Sequence, residues 1–549
     1  MAWDPPVDLG AGDPRRLKVS ASDVANNAPC GRFLALKVRP QVKQVDGWSR
    51  LFPPRGEDTP FPLADVTELV MESHGVPGLD TWDGLHGWLV RKMESRGVHR
   101  LLRPYVEQAV ENVLDAHEVI EGELGPLRLL RRNPEFGADK WSVNAWAPLY
   151  ENDEGVREIR RLRLGTAHDS DEDGDLWAGV AAHVACTSVP AAAPSRVRVV
   201  EIGCVDGNVT VLFDGPPEEA TALYEAEARG RARTLVEEDH VVPCRSCGEC
   251  KTAGSCGALV PLDGLLGQPK RGHRSRSVSP SALKQYVECP GQWLLDSCSH
   301  LPKDRGGSEA LDRGRYVHQW LDAAHRRGTG CEPDDLPAPG GGLGLAEGVL
   351  DAAQYSLAYP YLVHHVGSCP LADPAVVLVA VEDTVHGYDH EAEVVAVTRP
   401  DLLYRRDDGL VVREFKTSAV PYANGRDTAF DRHLQVPFAL RVLQAGLLAQ
   451  HGATTGTVEV ELLTPDGQHV WDWRTDSAAT MAVAAGEIER ITDEWHDDST
   501  WDTTPGPQCG WCPVRDWCPD RDVWEMSAPR SLAGADPGTP AVFGDVPPF

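Results

Sequence analysis

Two stretches alternate apolar and polar residues on either side of an Asp-Gly pair: RVRVVEIGCVDGNVTVLF around Asp206-Gly207 and TGTVEVELLTPDGQHVWDW around Asp466-Gly467. A period of two broken by Asp-Gly predicts a β-hairpin in each. Two more extended runs, EAEVVAVTR and GLVVREFKT, flank a turn at Asp407 to Gly409. Helical signals lie elsewhere. In VSPSALKQYVEC, Ser279 can cap a helix whose first residue is Pro280, a proline position that costs no hydrogen bond. GRYVHQWL, from Gly314 to Leu321, has the pattern of an amphipathic helix.

The pattern occurs twice. VSASDVANNAPC, ending at Cys30, matches VSPSALKQYVEC, ending at Cys289, and GLHGWLV around His86 is a possible counterpart of GRYVHQWL. PLYENDEGVREIRR parallels PDLLYRRDDGLVVREFKT, the two hairpins follow in the same order, and each half then has an alanine-rich helix and closes on cysteines. Five pairings in one order argue for an internal duplication. Aligning Leu149-Tyr150 with Leu403-Tyr404 places Ala147 opposite Asp401 and Glu158-Ile159-Arg160 opposite Glu414-Phe415-Lys416. The reading is an α/β chain of two tandem domains, 18–257 and 278–527, with a basic linker over 258–277 and a disordered tail over 528–549.

Composition narrows the class. A chain of 549 residues is too long for one core. It has no apolar run long enough to span a membrane, and its first residues do not read as a secretory signal, so a cytoplasmic protein is expected. A net charge of −30 argues against broad nucleic-acid binding but leaves room for a local basic channel. DSDEDGD, from Asp169 to Asp175, reads as a solvated loop. The 14 cysteines fall mostly into two clustered sets, which in a cytosolic chain favours metal over disulfides. No G-x-x-x-x-G-K-[ST] run is present, so any unwinding of a duplex would need a partner.

Candidate chemistry lies in the second half. Asp401 follows one extended run and Glu414 lies in the next, so a hairpin can set their carboxylates side by side. Lys416 shares Glu414's face. Two carboxylates suit Mg²⁺, and an ammonium beside them can offset charge on a phosphate. Alone, the same residues could equally be a cross-strand ion pair, and His318 a core histidine. Cys289, Cys509, Cys512 and Cys518 offer four thiolates from two distant segments, in a spacing unlike a zinc ribbon. In the first half Cys30, Cys247, Cys250 and Cys256 offer a similar set, with Cys244 as a possible replacement; a local zinc knuckle of Cys244, Cys247, Cys250 and Cys256 competes with it.

From Val278 to Arg521 the order is SPSALKQYVECPGQWLL, RGRYVHQWL, Pro400-Asp401, Glu414-Phe415-Lys416, Gln435 and C-x2-C-x5-C. It resembles the RecB/AddB-like branch of the PD-(D/E)XK nucleases, including the CRISPR-associated exonucleases with an iron–sulfur cluster. The resemblance implies restriction-endonuclease-like domains, the first a degenerate copy. It makes His318, Asp401 and Glu414 ligands of Mg²⁺ or Mn²⁺, Lys416 the catalytic lysine, and Gln435 a helix residue near the site. It implies a 4Fe-4S cluster on Cys289, Cys509, Cys512 and Cys518, with zinc the alternative metal, and a second cluster or zinc on the first set. Ala439 stands where the family has tyrosine, which leaves the DNA-facing part of that helix open. The implied function is a metal-dependent deoxyribonuclease acting on DNA ends, preferring single strands, in repair, recombination or defence, with a possible helicase or defence partner. The competing readings are a non-catalytic iron–sulfur subunit that binds DNA or a helicase, and a zinc-bound interaction scaffold.

Overall fold

In the computed structural model, residues 17–38 and 61–523 are described, apart from 80, 139–140, 169–174, 191, 251, 263, 268–276, 305–308, 346–347, 408 and 452–455. The expected tail, most of DSDEDGD and the basic part of the linker lie outside them. Contacts divide the chain into two units. One comprises residues up to Thr252 with Leu294–Lys303 and Asp516–Pro519. The other comprises Ala253–Trp293, Asp304–Arg515 and the residues from Asp520 on.

In the first unit, β1 (Leu17–Ser20), β3 (Glu135–Ala138) and β4 (Trp141–Asn144) form a small sheet in the order β1-β4-β3. A five-stranded sheet has the order β2-β5-β6-β7-β8, from β2 (Arg128–Arg131), β5 (Leu149–Glu151), β6 (Val156–Arg163), β7 (Arg196–Gly203) and β8 (Val209–Gly215). Only β6 and β7 run parallel in it, because the helix α3 (Leu176–Thr187) crosses between them. Helices α1 (Pro62–Ser73) and α2 (Arg103–Leu124) precede the sheet. Trp177, Val180 and Val184 of α3 share a core with Ile159, Val197 and Val199.

The second unit repeats this pattern. β9 (Val260–Leu262), β10 (Ser277–Val278), β14 (Val385–Asp389) and β15 (Val394–Thr398) pair in the order β10-β15-β14-β9. As with β1 and β4, β10 runs parallel to β15. β9 forms within the stretch expected as linker. β11 (Leu343–Leu345) and β12 (Gly348–Leu350) form a separate hairpin. The large sheet has the order β13-β16-β17-β18-β19, from β13 (Val376–Val381), β16 (Leu402–Arg406), β17 (Gly409–Thr417), β18 (Gly456–Thr464) and β19 (Gly467–Arg474). Again only the central crossover pair, β17 and β18, is parallel. Both Asp-Gly hairpins form as expected.

The helices of this unit are α4 (Pro280–Glu288), α5 (Glu309–His325), α6 (Ala352–Val366), α7 (Gln435–Gln444) and α8 (Ala478–Asp497). Ser279 caps α4 by accepting from the Ala282 amide at 3.2 Å. Val317, Trp320 and Leu321 of α5, with Tyr355 and Leu362 of α6, close one face of the sheet over Leu402, Tyr404, Val411 and Phe415.

The strand register corrects the alignment of the two halves. Tyr150 pairs with Glu158, and Tyr404 with Val411. Counting along each strand, Arg160 corresponds to Arg413, and each guanidinium stacks on its tyrosine ring. The residues equivalent to Glu414 and Lys416 are therefore Arg161 and Arg163, not Glu158 and Arg160. A slip by an odd number of residues moves a strand's side chains to the other face.

Candidate active site

β16 and β17 pair only as far as Leu402 and Arg413. Asp401, one residue before β16, therefore finds the next free amide of β17 with its side chain, and Phe415 N–H donates to Asp401 Oδ2 at 2.6 Å. The Phe415 carbonyl accepts from His318 Nε2 at 3.1 Å. That bond places the proton on Nε2 and turns Nδ1 toward Asp401 Oδ1 at 3.6 Å and Glu382 Oε1 at 3.9 Å. The backbone N–H and C=O of one residue of β17 thus orient both Asp401 and His318.

Glu414 and Lys416, flanking Phe415, are buried on the other face of β17 from its ring. Lys416 Nζ donates to Glu414 Oε2 at 3.1 Å and lies 3.9 Å from Asp401 Oδ2. Burial, together with the Asp401 charge, pushes the Glu414 carboxyl up to about 7 against the pull of Lys416. Burial works to lower the Lys416 ammonium, but Glu414 and Asp401 outweigh it and raise the group above its ordinary range. His318 is also raised: burial opposes the charge, and Asp401 and Glu382 more than offset it. The proton held there in the absence of metal is one that a cation would replace.

Glu382 was not anticipated from the sequence. It follows β13, and its amide donates to the Asp401 carbonyl at 3.2 Å. Its φ is 52°, a left-handed conformation that costs a side-chain-bearing residue about 1–3 kcal/mol. Arg399 Nε holds its Oε2 at 2.8 Å. Ligand atoms of His318, Glu382 and Asp401 all lie within 4.8 Å of one another. One imidazole nitrogen and two carboxylates, with Glu414 adjoining, form an oxygen-rich donor set suited to Mg²⁺ or Mn²⁺.

Gln435 opens α7, its amide oxygen buried and without a hydrogen-bond partner among the described residues. Lys284 of α4 is lowered by burial, with Lys416 contributing by repulsion, so a second cation faces this region.

Among the expected cluster ligands, Cys289 Sγ accepts from the amides of Gln292 and Thr504, each at 3.4 Å, which joins α4 to the segment before the C-x2-C-x5-C run. Cys509 Sγ accepts from Gly506 N–H at 3.5 Å. Cys512 follows the turn Pro507–Trp511, and Cys518 follows Arg515–Trp517. In the first unit, burial pushes the Cys247 thiol up to about 12, with Cys244, Cys250 and Cys30 adding to the effect. The Cys244 amide donates to Cys247 Sγ at 3.3 Å. Cys256 follows the turn Ala253–Ser255.

Residues 277–519 match the model of the PD-(D/E)XK nuclease superfamily. No curated protein matches the chain. Among solved structures, the crystal structure of SSO0001 is 12% identical, over 46% of this chain and 90% of its own, with a TM-score of 0.26. A provisionally named exonuclease from Eubacterium rectale is 11% identical, over 43% of this chain and 87% of its own, with a TM-score of 0.28. Likeness at these scores is loose and adds nothing to the family match.

Proposed function

We propose that the second unit is a Mg²⁺- or Mn²⁺-dependent deoxyribonuclease acting at DNA ends on single strands. The observation that carries this reading is the convergence of His318, Glu382 and Asp401 ligand atoms beside the Glu414–Lys416 pair, within a domain matched to a nuclease superfamily. A divalent ion, when bound there, would polarise the scissile phosphate and favour ionisation of the attacking water. The Phe415 backbone N–H and C=O fix Asp401 and His318. Lys416 offsets charge that develops on the phosphate oxygens and orients the water. Glu414, raised to about 7 by burial and the Asp401 charge, can hold or release a proton. Gln435 and Lys284 would contact the substrate near this centre.

In the first unit the same sheet order recurs, with Ala147, Arg161 and Arg163 at the equivalent positions. Arg161 is paired with Glu201 and Asp175. We read this unit as a restriction-endonuclease-like copy that has lost the metal site, serving as scaffold or DNA contact. Cys289, Cys509, Cys512 and Cys518 are proposed to hold a 4Fe-4S cluster, and Cys30, Cys247 and Cys250, with Cys244 or Cys256, a second cluster or zinc. A helicase or other partner in repair, recombination or defence would supply unwound strands. No helix among the described residues is long and apolar enough to cross a membrane, and a cytoplasmic location is proposed.

The reading is tested by incubating anaerobically purified protein and Mn²⁺ with end-labelled linear and covalently closed circular single strands. Release of short labelled products from the linear strand alone supports exonuclease action. Cutting of the circle would make it an endonuclease. No cleavage of either strand would favour a non-catalytic subunit.

A further inference from the structure

Four side chains not used in the proposed chemistry converge inside the second unit. His325, the last residue of α5, His365, near the end of α6, and the loop residues Cys331 and Cys369 are all buried, and one ligand atom of each lies within 4.8 Å of the others. His325 Nε2 is 3.1 Å from His365 Nε2 and 3.7 Å from Cys369 Sγ. Bond lengths of 2.0–2.1 Å to nitrogen and 2.3 Å to sulfur give tetrahedral edges of about 3.3 Å between two nitrogens and about 3.6 Å between nitrogen and sulfur. The observed separations are close to these edges.

Proton bookkeeping also favours a cation. His365 Nδ1 faces Glu461 Oε1 at 2.9 Å, and donation to that carboxylate turns Nε2 into the quartet. Without an ion, burial of His365 is outweighed by Glu461 and Cys369, which raise it to about 9, so its Nε2 carries a proton that a metal would replace. Hydrogen bonds from Cys331, His325 and His365 draw the Cys369 thiol well below its ordinary range despite burial, which is the state a metal requires. Glu461 is itself held by Ser368 Oγ at 2.8 Å and Arg413 at 2.8 Å. A carboxylate fixed behind a ligating histidine sets the tautomer and orientation of its ring.

We propose that His325, Cys331, His365 and Cys369 bind a structural zinc ion, separate from the candidate catalytic metal and from the cysteine clusters. Two thiolates and two imidazoles in a closed, buried tetrahedron select zinc over the hard cations suited to the carboxylate site. Binding displaces the Cys331 thiol proton and the Nε2 proton of His365 to solvent. The ion would tie the ends of α5 and α6 to the two loops that follow them. It would also brace the candidate active site, because Phe415 stacks on His325 with ring centres 5.4 Å apart and meets His365 edge-on at 5.3 Å. The backbone of that same phenylalanine holds Asp401 and His318. His318 and His325 lie two helical turns apart on one face of α5, so one helix would serve both sites.

The test is metal content of the full chain, which does not depend on whether the protein cuts DNA. Anaerobically purified protein, dialysed against a mild chelator, is analysed for zinc and iron before and after Cys331→Ser/Cys369→Ser. The double variant is expected to lose about one zinc per chain with its iron unchanged. Cobalt in place of zinc is expected to show the visible bands of a tetrahedral site with thiolate ligands. Where the double variant fails to fold, Glu461→Gln keeps all four ligands and is expected to weaken zinc retention against a competing chelator by roughly 10–100-fold. Folded wild type that takes up neither zinc nor cobalt at this site overturns the proposal. So does a disulfide between Cys331 and Cys369 in the purified protein, zinc retained undiminished by the double variant, or retention unaffected by Glu461→Gln.

Discussion

Removal of the Lys416 charge should uncouple metal binding from cleavage. Its Nζ lies 3.1 Å from Glu414 Oε2 and 3.9 Å from Asp401 Oδ2 in a buried site. Two unit charges 4 Å apart interact by about 4 kcal/mol at an effective dielectric of 20. In Lys416→Met each carboxylate forfeits attraction of that order, and the pair is left short of positive charge. Part of the deficit is met by protons, because Glu414 already titrates at about 7. The remainder favours a divalent cation, so Mn²⁺ should bind roughly tenfold more tightly at alkaline pH. Cleavage should nevertheless fall by about 10²–10³-fold, the usual loss when one preorganised group is withdrawn from a developing charge. Calorimetric titration with Mn²⁺ and single-turnover cleavage of a labelled strand at saturating Mn²⁺ measure the two effects separately. Cleavage within tenfold of wild type, or Mn²⁺ affinity that falls along with the rate, would refute the reasoning.

Other perturbations have equally defined outcomes. Arg413 is 4% exposed, with Glu459 and Glu461 within ion-pair distance. Arg413→Met leaves Glu459 with Arg406 and Glu461 with His365, so its cost, read by chemical denaturation, should fall short of the loss of about 3–5 kcal/mol for a fully broken buried pair. The Glu414 pKa is raised in the folded, metal-free protein, so its contribution favours folding below about pH 4.5 and is lost as pH rises through about 7. Mn²⁺ should therefore raise the melting temperature more at about pH 8 than at about pH 6, and Glu414→Gln should flatten that difference. Glu382→Gln should weaken Mn²⁺ binding while leaving the fold intact by circular dichroism; unchanged affinity would remove Glu382 from the site.

The sequence made local features legible and left non-local ones hidden. Both Asp-Gly hairpins and the Ser279 cap depend on neighbouring residues, so alternation and turn chemistry sufficed to find them. Asp401, Glu414 and Lys416 could be grouped because they are close in sequence, but the hairpin partner of GLVVREFKT is β16, after Asp401, while EAEVVAVTR supplies β15 of the other sheet. Glu382 reaches the same place only through the pairing of β13 with β16, and nothing in the residues around it marks the site. His325, Cys331, His365 and Cys369 form two short His–Cys pairs, H-x5-C and H-x3-C, but each cysteine stands outside the two cysteine clusters that drew attention. The equivalence of Arg161 and Arg163 with Glu414 and Lys416 was missed because similarity of residue type does not fix register, whereas the pairing of each tyrosine with the next strand does.

The central claim is that the carboxylates of the second unit direct phosphodiester hydrolysis. Cleavage of an end-labelled single strand by wild type and by Asp401→Asn, compared in Mn²⁺ with both proteins purified and folded alike, tests it most directly. The account predicts Mn²⁺-dependent degradation by wild type that Asp401→Asn reduces by at least about 10²-fold. Equal cleavage by the two proteins, or no cleavage by wild type, would contradict it.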